Sequence, residues 1–240
     1  MGWYEAIKDG ISAAQKADKI PLVNNLIEVQ KQILDLINEN NKLKIGIMGG
    51  TFDPIHYGHL SIAEYVREEF NLDKILFIPT GNPPHKSKLR TDKLDRYNMV
   101  LLAIKNNKGF IASSIEIDRE KSTYTIDTLK ELHKTYKNSE LYFITGADTI
   151  CDMENWRNVG ENFELATFIA AKRPGISEEE VKEKIENLEE LYDAKIKTVD
   201  APSLDISSTY IRRQIKENKS VKYLIPDEVQ SYIDEKQIYN

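Results

Sequence analysis

Short apolar runs alternate along most of the chain with longer segments in which apolar residues recur every three or four positions. Runs of four to eight apolar residues are typical of buried strands, and the wider spacing is typical of amphipathic helices. The pattern predicts strands at 43–48, 74–79, 110–117, 141–144, 166–170 and 196–199. It predicts helices from near Gly58 to Phe70 and at 94–104, 125–136, 178–192, 207–216 and 226–236. Because strands and helices alternate, we expect an α/β fold with a doubly wound, Rossmann-like parallel sheet.

Residues 1–42 follow a purely helical pattern. A first helical stretch is followed by Pro21, which fits the first turn of a second helix. That second stretch carries a seam of apolar residues at alternating steps of four and three, which Asn40 continues: Leu22, Leu26, Val29, Ile33 and Leu36. The seam fits a short coiled coil between chains and a helical hairpin packed on its own domain equally well. We therefore predict a helical N-terminal extension at 1–42, a possible site of homo-oligomer formation, and an α/β domain at 43–240.

Composition narrows the functional classes. The chain has 240 residues and a net charge of −6, which argues against a general nucleic-acid-binding surface. Its single cysteine, Cys151, cannot form an internal disulfide, as is usual in a reducing compartment. No apolar run approaches the length of a membrane span, and the first residues do not resemble a secretory signal. We expect a cytoplasmic protein without a membrane or nucleic-acid partner.

The strongest chemical signal is the stretch Gly49–Leu60, GGTFDPIHYGHL, between the first strand and the first helix. Gly49 and Gly50 allow the backbone to approach a phosphate closely, and the start of a helix attracts anions. His56 and His59 are three residues apart, so both rings can face one phosphate. A surface histidine pair is the ordinary alternative. A zinc site is disfavoured because no cysteine or third histidine lies nearby.

Other polar stretches follow the ends of predicted strands. They are NPPHK with Pro84, His85 and Lys86; STYTIDT with Thr125; GADT with Gly146 and Asp148, followed by Trp156; and ISSTYIRR with Ile206, Ser207, Ser208 and Arg212. Each has a structural alternative. These are a rigid turn, an N-capped helix, a core tryptophan and a capped helix with a surface arginine, respectively. The sequence pattern alone leaves those alternatives open.

Taken together, the stretches resemble a known family. Gly50–His59 matches the GxFxPxHxGH signature of the nucleotidyltransferase superfamily, and the chain from 44 to about 239 resembles bacterial nicotinate-nucleotide adenylyltransferases. The resemblance implies a nucleotidyltransferase fold and a reaction of ATP with nicotinate mononucleotide that gives nicotinate adenine dinucleotide and pyrophosphate. It also implies Mg²⁺ as cofactor, held mainly by phosphate oxygens, with no metal-binding cage of protein ligands. The segment 1–42 departs from the family, which does not usually begin with such helices.

Residue roles follow from the same resemblance. His56, His59 and Arg212 are expected to be catalytic. The residues expected to bind ATP are Gly49, Gly50, Thr51, Phe52, His56, Gly58, His59, Ile206, Ser207, Ser208 and Arg212. Those expected to bind the mononucleotide are Thr51, Pro84, His85, Lys86, Thr125, Gly146, Asp148, Trp156 and Arg173.

Alternative functions differ in substrate or in class. Nicotinamide mononucleotide is a closely related acceptor. Phosphopantetheine adenylyltransferases share the histidine motif but are usually shorter and lack NPPHK and STYTIDT. Aminoacyl-tRNA synthetases of class I would need a KMSKS-like loop and a much longer chain. A nucleotide-sensing regulator without turnover would not need the intact set His56, His59 and Arg212.

Overall fold

The apolar runs form one parallel sheet in the computed structural model, which describes residues 42–82, 91–172, 177–202 and 204–239. The strands are β1 Lys44–Gly50, β2 Lys74–Pro79, β3 Phe110–Ala112, β4 Glu140–Gly146, β5 Thr167–Ala171 and β6 Ile196–Val199. Their order in the sheet is β3-β2-β1-β4-β5-β6, and all neighbouring strands are parallel. This is the strand order of a doubly wound Rossmann-like sheet, so the predicted fold class is confirmed.

Helices cover both faces of the sheet. They are α1 Tyr57–Glu69, α2 Lys93–Ile104, α3 Thr125–Thr135, α4 Ala147–Asp152, α5 Val159–Leu165, α6 Glu178–Tyr192, α7 Ser208–Lys216 and α8 Asp227–Lys236. The helices α1, α2, α7 and α8 pack on one face, and α3, α4, α5 and α6 pack on the other. Side chains of β1 alternate between the two cores, with Ile45 and Ile47 in one and Met48 in the other.

The order in which strands are added to the sheet reverses at β1. From β1 the chain crosses to β2 and β3 on one side, and β4, on the other side of β1, starts the second half of the sheet. The crevice at the carboxyl ends of β1 and β4 is the place where open α/β sheets bind ligands. The stretches with predicted chemistry that the structure describes lie at this edge or in the loops that follow it.

One predicted strand is too long, and two short helices were missed. The strand predicted at 110–117 ends at Ala112. Although the Ser113 amide still donates to the Phe77 carbonyl at 2.9 Å, the chain then turns, and the Ser114 hydroxyl donates to the Asp118 carboxylate at 2.8 Å. The helices α4 and α5 were not predicted, because six and seven residues are too few for apolar periodicity to show.

Other predictions lie outside the part of the chain that the structure describes. Residues 1–41 are not among the described residues, so the helical extension and the division at 42/43 stay predictions. Across the described ranges, every helix is too short or too polar to cross a lipid bilayer.

Candidate active site

The end of β1 is shaped by two glycines whose neighbours lie on opposite faces of the sheet. A Cβ on Gly50 would lie 3.1 Å from the ring of Phe52, and a Cβ on Gly49 would lie 3.4 Å from the ring of Phe143. Phe52 has a φ of 49°, a left-handed conformation that is unfavourable for a bulky residue. Its ring is buried and meets His59 edge-on, with 5.0 Å between ring centroids. Phe52 therefore packs against His59 and restricts the position of its ring.

The two histidines lie together at the start of α1. His56 is the extended residue just before the helix and is 5 % exposed. Its ring stacks on that of His59 with 3.7 Å between centroids, and its backbone N–H donates to His59 Nδ1 at 3.3 Å. Because Nδ1 accepts this hydrogen bond, the neutral ring carries its proton on Nε2. His59 is thus prepared to donate a hydrogen bond from Nε2.

The start of α7 is fastened to the loop that leads into α1. The Ser208 hydroxyl donates to the Pro54 carbonyl at 2.9 Å, and Arg212 Nη1 donates to the Asp53 carbonyl at 2.6 Å. Asp53 and Pro54 lie a few residues before the start of α1, so the amino ends of two helices lie side by side. The amino end of a helix carries partial positive charge. Two such ends, together with the guanidinium of Arg212, have the chemistry to bind an anion.

Asp53 joins this cluster to the carboxyl end of the chain. The Tyr239 hydroxyl donates to Asp53 Oδ1 at 2.6 Å, and Asp53 Oδ2 lies 4.0 Å from Arg212 Nη1. Burial, reinforced by the neighbouring carboxylate, raises the pKa of Tyr239, so its hydroxyl remains a donor. The sequence motif includes Asp53, but reasoning from the motif gave this residue no role.

The side of the crevice opposite the histidines contains Trp156. Its half-buried indole meets the ring of Phe143 edge-on, with 6.1 Å between centroids. The next residue, Arg157, holds its guanidinium 4.8 Å from the ring of Tyr124, directly before Thr125, the first residue of α3. The turn at 156–157 therefore lies between Phe143 of β4 and Tyr124, the residue before α3, and a shared binding role for Thr125 and Trp156 stays a prediction.

Gly146 and Asp148 occupy the boundary between β4 and α4. Gly146 ends β4 and is the N-cap residue of α4, and Asp148 is exposed in the first turn of that helix. An exposed carboxylate here has the chemistry to accept hydrogen bonds from ribose hydroxyls. Its role stays a prediction.

Four predicted substrate-binding residues lie outside the described ranges: Pro84, His85, Lys86 and Arg173. Within those ranges, no three side chains of histidine, cysteine, aspartate or glutamate form a group that could hold a metal ion. The coordination of Mg²⁺ mainly by phosphate oxygens and water stays a prediction.

The structure also reveals a buried cation that sequence reasoning missed. Arg96 in α2 is fully buried, and its guanidinium donates to the carbonyls of Thr51 at 2.7 Å and Thr80 at 2.6 Å. The only signal in the sequence was a lone arginine on the apolar face of the predicted helix 94–104, three and four residues before Met99 and Val100.

A buried carboxylate was missed as well. Glu116 accepts a hydrogen bond from the Thr128 hydroxyl at 2.7 Å, and burial raises the pKa of its carboxyl group. The prediction of a strand through residue 117 hid this residue, because it assigned Glu116 to a regular element.

Comparisons with known proteins show the family of this chain. Residues 47–214 match the cytidylyltransferase-like family. A relative from Thermoanaerobacter sp. (strain X514), named "Probable nicotinate-nucleotide adenylyltransferase", is 50% identical over 200 residues, which is 82% of this chain and 95% of the relative. A relative with the same name from Desulfitobacterium hafniense (strain DSM 10664 / DCB-2) is 49% identical over 197 residues, which is 82% of this chain and 95% of the relative.

Solved structures share the fold. The nicotinic acid mononucleotide adenylyltransferase of Plasmodium falciparum complexed with NaAD has a TM-score of 0.69 and 24% sequence identity, covering 83% of this chain and 98% of that one. A protein from Vibrio parahaemolyticus named "Putative Nicotinate-nucleotide Adenylyltransferase" has a TM-score of 0.59 and 19% identity, covering 82% of this chain and 95% of that one. The chain therefore belongs to the cytidylyltransferase-like family, and within it to the family of the nicotinate-nucleotide adenylyltransferases.

Proposed function

We propose that this protein transfers AMP from ATP to nicotinate mononucleotide, giving nicotinate adenine dinucleotide and pyrophosphate in NAD biosynthesis. The observation that carries the proposal is the convergence of the α1 and α7 amino ends with His56, His59 and Arg212 at the carboxyl end of β1. A cluster of this kind suits the polyphosphate of a nucleotide. The names of the relatives supply the acceptor, nicotinate mononucleotide.

The chemistry needs no protein nucleophile. An oxygen of the mononucleotide phosphate attacks the α-phosphorus of ATP, the bond between that phosphorus and its bridging oxygen breaks, and pyrophosphate leaves. Catalysis of such a step rests on positioning and on stabilising the charge that moves to the leaving group. Correct orientation of two bound reactants can contribute about 7–11 kcal/mol to lowering the barrier.

His59 is the proposed donor to that charge. Its Nδ1 accepts from the His56 N–H, its ring packs edge-on against Phe52, and its Nε2–H is the proposed donor to a phosphate oxygen. These contacts exist before substrate binds, so the donor needs no reorganisation during the reaction. The stacked ring of His56 restricts the orientation of His59 further.

Arg212 and Ser208 are the proposed ligands of the β- and γ-phosphates. The bond to the Asp53 carbonyl fixes one arm of the Arg212 fork, and a guanidinium has five donors in a planar arrangement. Ser208 begins α7, so its backbone N–H is one of the unpaired donors of that helix. Mg²⁺ would enter with ATP and neutralise part of the phosphate charge.

The acceptor is proposed to lie on the other side of β1. Trp156 would stack on the pyridine ring, and N–H groups at the start of α3, near Thr125, would bind its carboxylate. Gly146 and Asp148 would meet the nucleotide sugar. Lys86, His85 and Arg173 remain proposed phosphate ligands on the basis of sequence alone.

A pyrophosphate-release assay tests the proposal. ATP is supplied with nicotinate mononucleotide, nicotinamide mononucleotide or phosphopantetheine in parallel, and the dinucleotide product is identified by chromatography and mass. We expect the highest kcat/KM with nicotinate mononucleotide. Preference for another acceptor would overturn the substrate assignment, and ATP binding without pyrophosphate release from any acceptor would indicate a nucleotide sensor.

The assembly state and location belong to the same proposal. We propose a cytoplasmic enzyme in which residues 1–42 serve assembly or docking and take no part in catalysis. Removal of residues 1–40 should then leave kcat unchanged, and light scattering would show whether the mass in solution falls. Loss of turnover in a truncated protein that remains folded would place these residues at the active site.

A further inference from the structure

Arg96 is a buried cation whose hydrogen-bond partners are backbone carbonyls. Nη1 donates to the Thr51 carbonyl at 2.7 Å, and Nη2 donates to the carbonyls of Thr80 at 2.6 Å and Gly81 at 3.3 Å. Burial lowers the pKa of this guanidinium, and attraction to the Asp53 carboxylate opposes that effect. An arginine nevertheless stays charged at neutral pH, so its full desolvation is a cost that these bonds must offset.

The carbonyls belong to two loops that lie beyond the last hydrogen bond between β1 and β2. The parallel pairing of β1 with β2 ends at Gly50 and Pro79, and the last bond between these strands runs from the Thr80 amide to the Gly50 carbonyl at 2.8 Å. Beyond that point, Thr51 leads into the histidine loop, whereas Thr80 and Gly81 begin the loop after β2. The two arms of the Arg96 fork bridge the gap.

The loop after β2 is in turn fastened to the acceptor side. A side chain on Gly81 would overlap the Glu116 carbonyl oxygen, so the two segments are in direct contact. The Asn82 side-chain amide donates to the Glu120 carbonyl at 3.0 Å, and the Thr123 amide donates to the Asn82 carbonyl at 3.0 Å. Thr123 lies two residues before the start of α3 at Thr125. One continuous set of contacts therefore leads from the ATP loop through Arg96 to the start of α3.

We propose that Arg96 is a positioning residue for AMP transfer, whose guanidinium sets the spacing between the ATP-binding loop after β1 and the start of α3, to which Thr80, Gly81 and Asn82 are linked. The inference rests on the proposed function. Two separate substrates must meet in line, and a displacement of about 1 Å can cost about 10²-fold in rate. A planar fork can hold two carbonyl groups at a fixed separation, whereas the single ammonium of lysine cannot reproduce that geometry.

The test replaces Arg96 while keeping the fold. Arg96→Lys preserves charge and much of the length, and Arg96→Gln removes the charge. For folded Arg96→Lys we expect kcat to fall about 10–100-fold, with the KM for ATP and for nicotinate mononucleotide each within about threefold of wild type. A purely structural role would reduce the folded fraction and leave kcat per folded molecule unchanged, so circular dichroism and active-site titration accompany the kinetics.

Arg67→Lys is the matched control. Arg67 lies near the carboxyl end of α1, where it donates to the Glu64 carboxylate at 2.9 Å. The Arg67→Lys variant should have the kcat of wild type. If wild type itself makes no dinucleotide, the proposed function fails. If wild type is active, the inference is overturned by a normal kcat in Arg96→Lys, by a raised KM with normal kcat, or by failure of both Arg96 variants to fold.

Discussion

Replacement of Gly58 by alanine should damage catalysis without damaging the fold. Gly58 is the second residue of α1, and a Cβ there would lie 3.0 Å from His56 Nδ1 and 3.1 Å from Cε1. The Leu204 carbonyl oxygen, 3.4 Å away, limits retreat in another direction. The ring of His56 must therefore move by about 0.4 Å to regain ordinary contact, and His59, stacked on it at 3.7 Å, must move with it.

The size of each effect can be estimated separately. If 1 Å of misplacement costs about 10²-fold, a shift of this size should lower kcat roughly 10-fold. Alanine within a helix is favoured over glycine by about 0.5–1 kcal/mol, which opposes a crowding cost of about 1 kcal/mol at the ring. We therefore expect the Tm of Gly58→Ala to stay within about 2 °C of wild type.

Gly160→Ala is a matched control for this experiment. Gly160 is also the second residue of its helix, α5, but a Cβ there would lie 3.4 Å from Tyr192, an ordinary contact. This variant should gain about 0.5–1 kcal/mol of stability and keep its kcat. Steady-state pyrophosphate release and thermal melts of both variants give the comparison. Wild-type turnover in Gly58→Ala, or an equal loss of turnover in both variants, would refute the reasoning about the histidine pair.

Further predictions concern three polar side chains of the crevice and its support. His59→Ala should lower kcat about 10²-fold or more in a protein with a native circular dichroism spectrum, and near-normal turnover would remove its catalytic role. Arg212→Lys should raise the KM for ATP and lower kcat, whereas a change confined to the mononucleotide KM would contradict the assignment. Burial raises the pKa of Glu116 above the value of about 4.3 that a glutamate has in the unfolded chain. The folded protein therefore keeps this proton at pH values where the unfolded chain has lost it. The free energy of unfolding should fall as the pH rises from about 4.3 through the raised pKa. Glu116→Gln should make the free energy of unfolding, measured in urea between pH 5 and 7, fall less with pH, and an unchanged slope would disprove the effect.

Most of the fold followed from periodicity, and the exceptions have physical reasons. The strand Lys74–Pro79 and the helix Glu178–Tyr192 have the predicted bounds, since one is a continuous buried run and the other a long amphipathic pattern. The helices α4 and α5 are too short to show a period. The run after Phe110 looks like a strand because its apolar residues continue, but those beyond Ala112 are buried from a turn.

The candidate site also contains residues that the sequence motifs predicted and a residue that they could not predict. The histidine motif predicted His56 and His59 side by side at a helix start, because residues three apart share one face of a helix, and their rings are stacked. Ser208 and Arg212 bond to Pro54 and Asp53 of the loop before that helix, and their roles in binding stay predictions. Arg96 could not be predicted. Its partners are backbone carbonyls, which any residue supplies, so the amino-acid types around them carry no signal.

The paired glycines show why one strand end can serve two substrates. Consecutive residues of a strand point to opposite faces, so Gly49 faces Phe143 and the acceptor side, whereas Gly50 faces Phe52 and the histidine side. If only one of the two positions were glycine, the side chain at the other would contact the phenylalanine ring on its own face of the sheet. β1 also lies where the strand order reverses, which is the place where open α/β sheets form a ligand crevice. We therefore predict that the two reactants approach the end of β1 from its two sides and meet there.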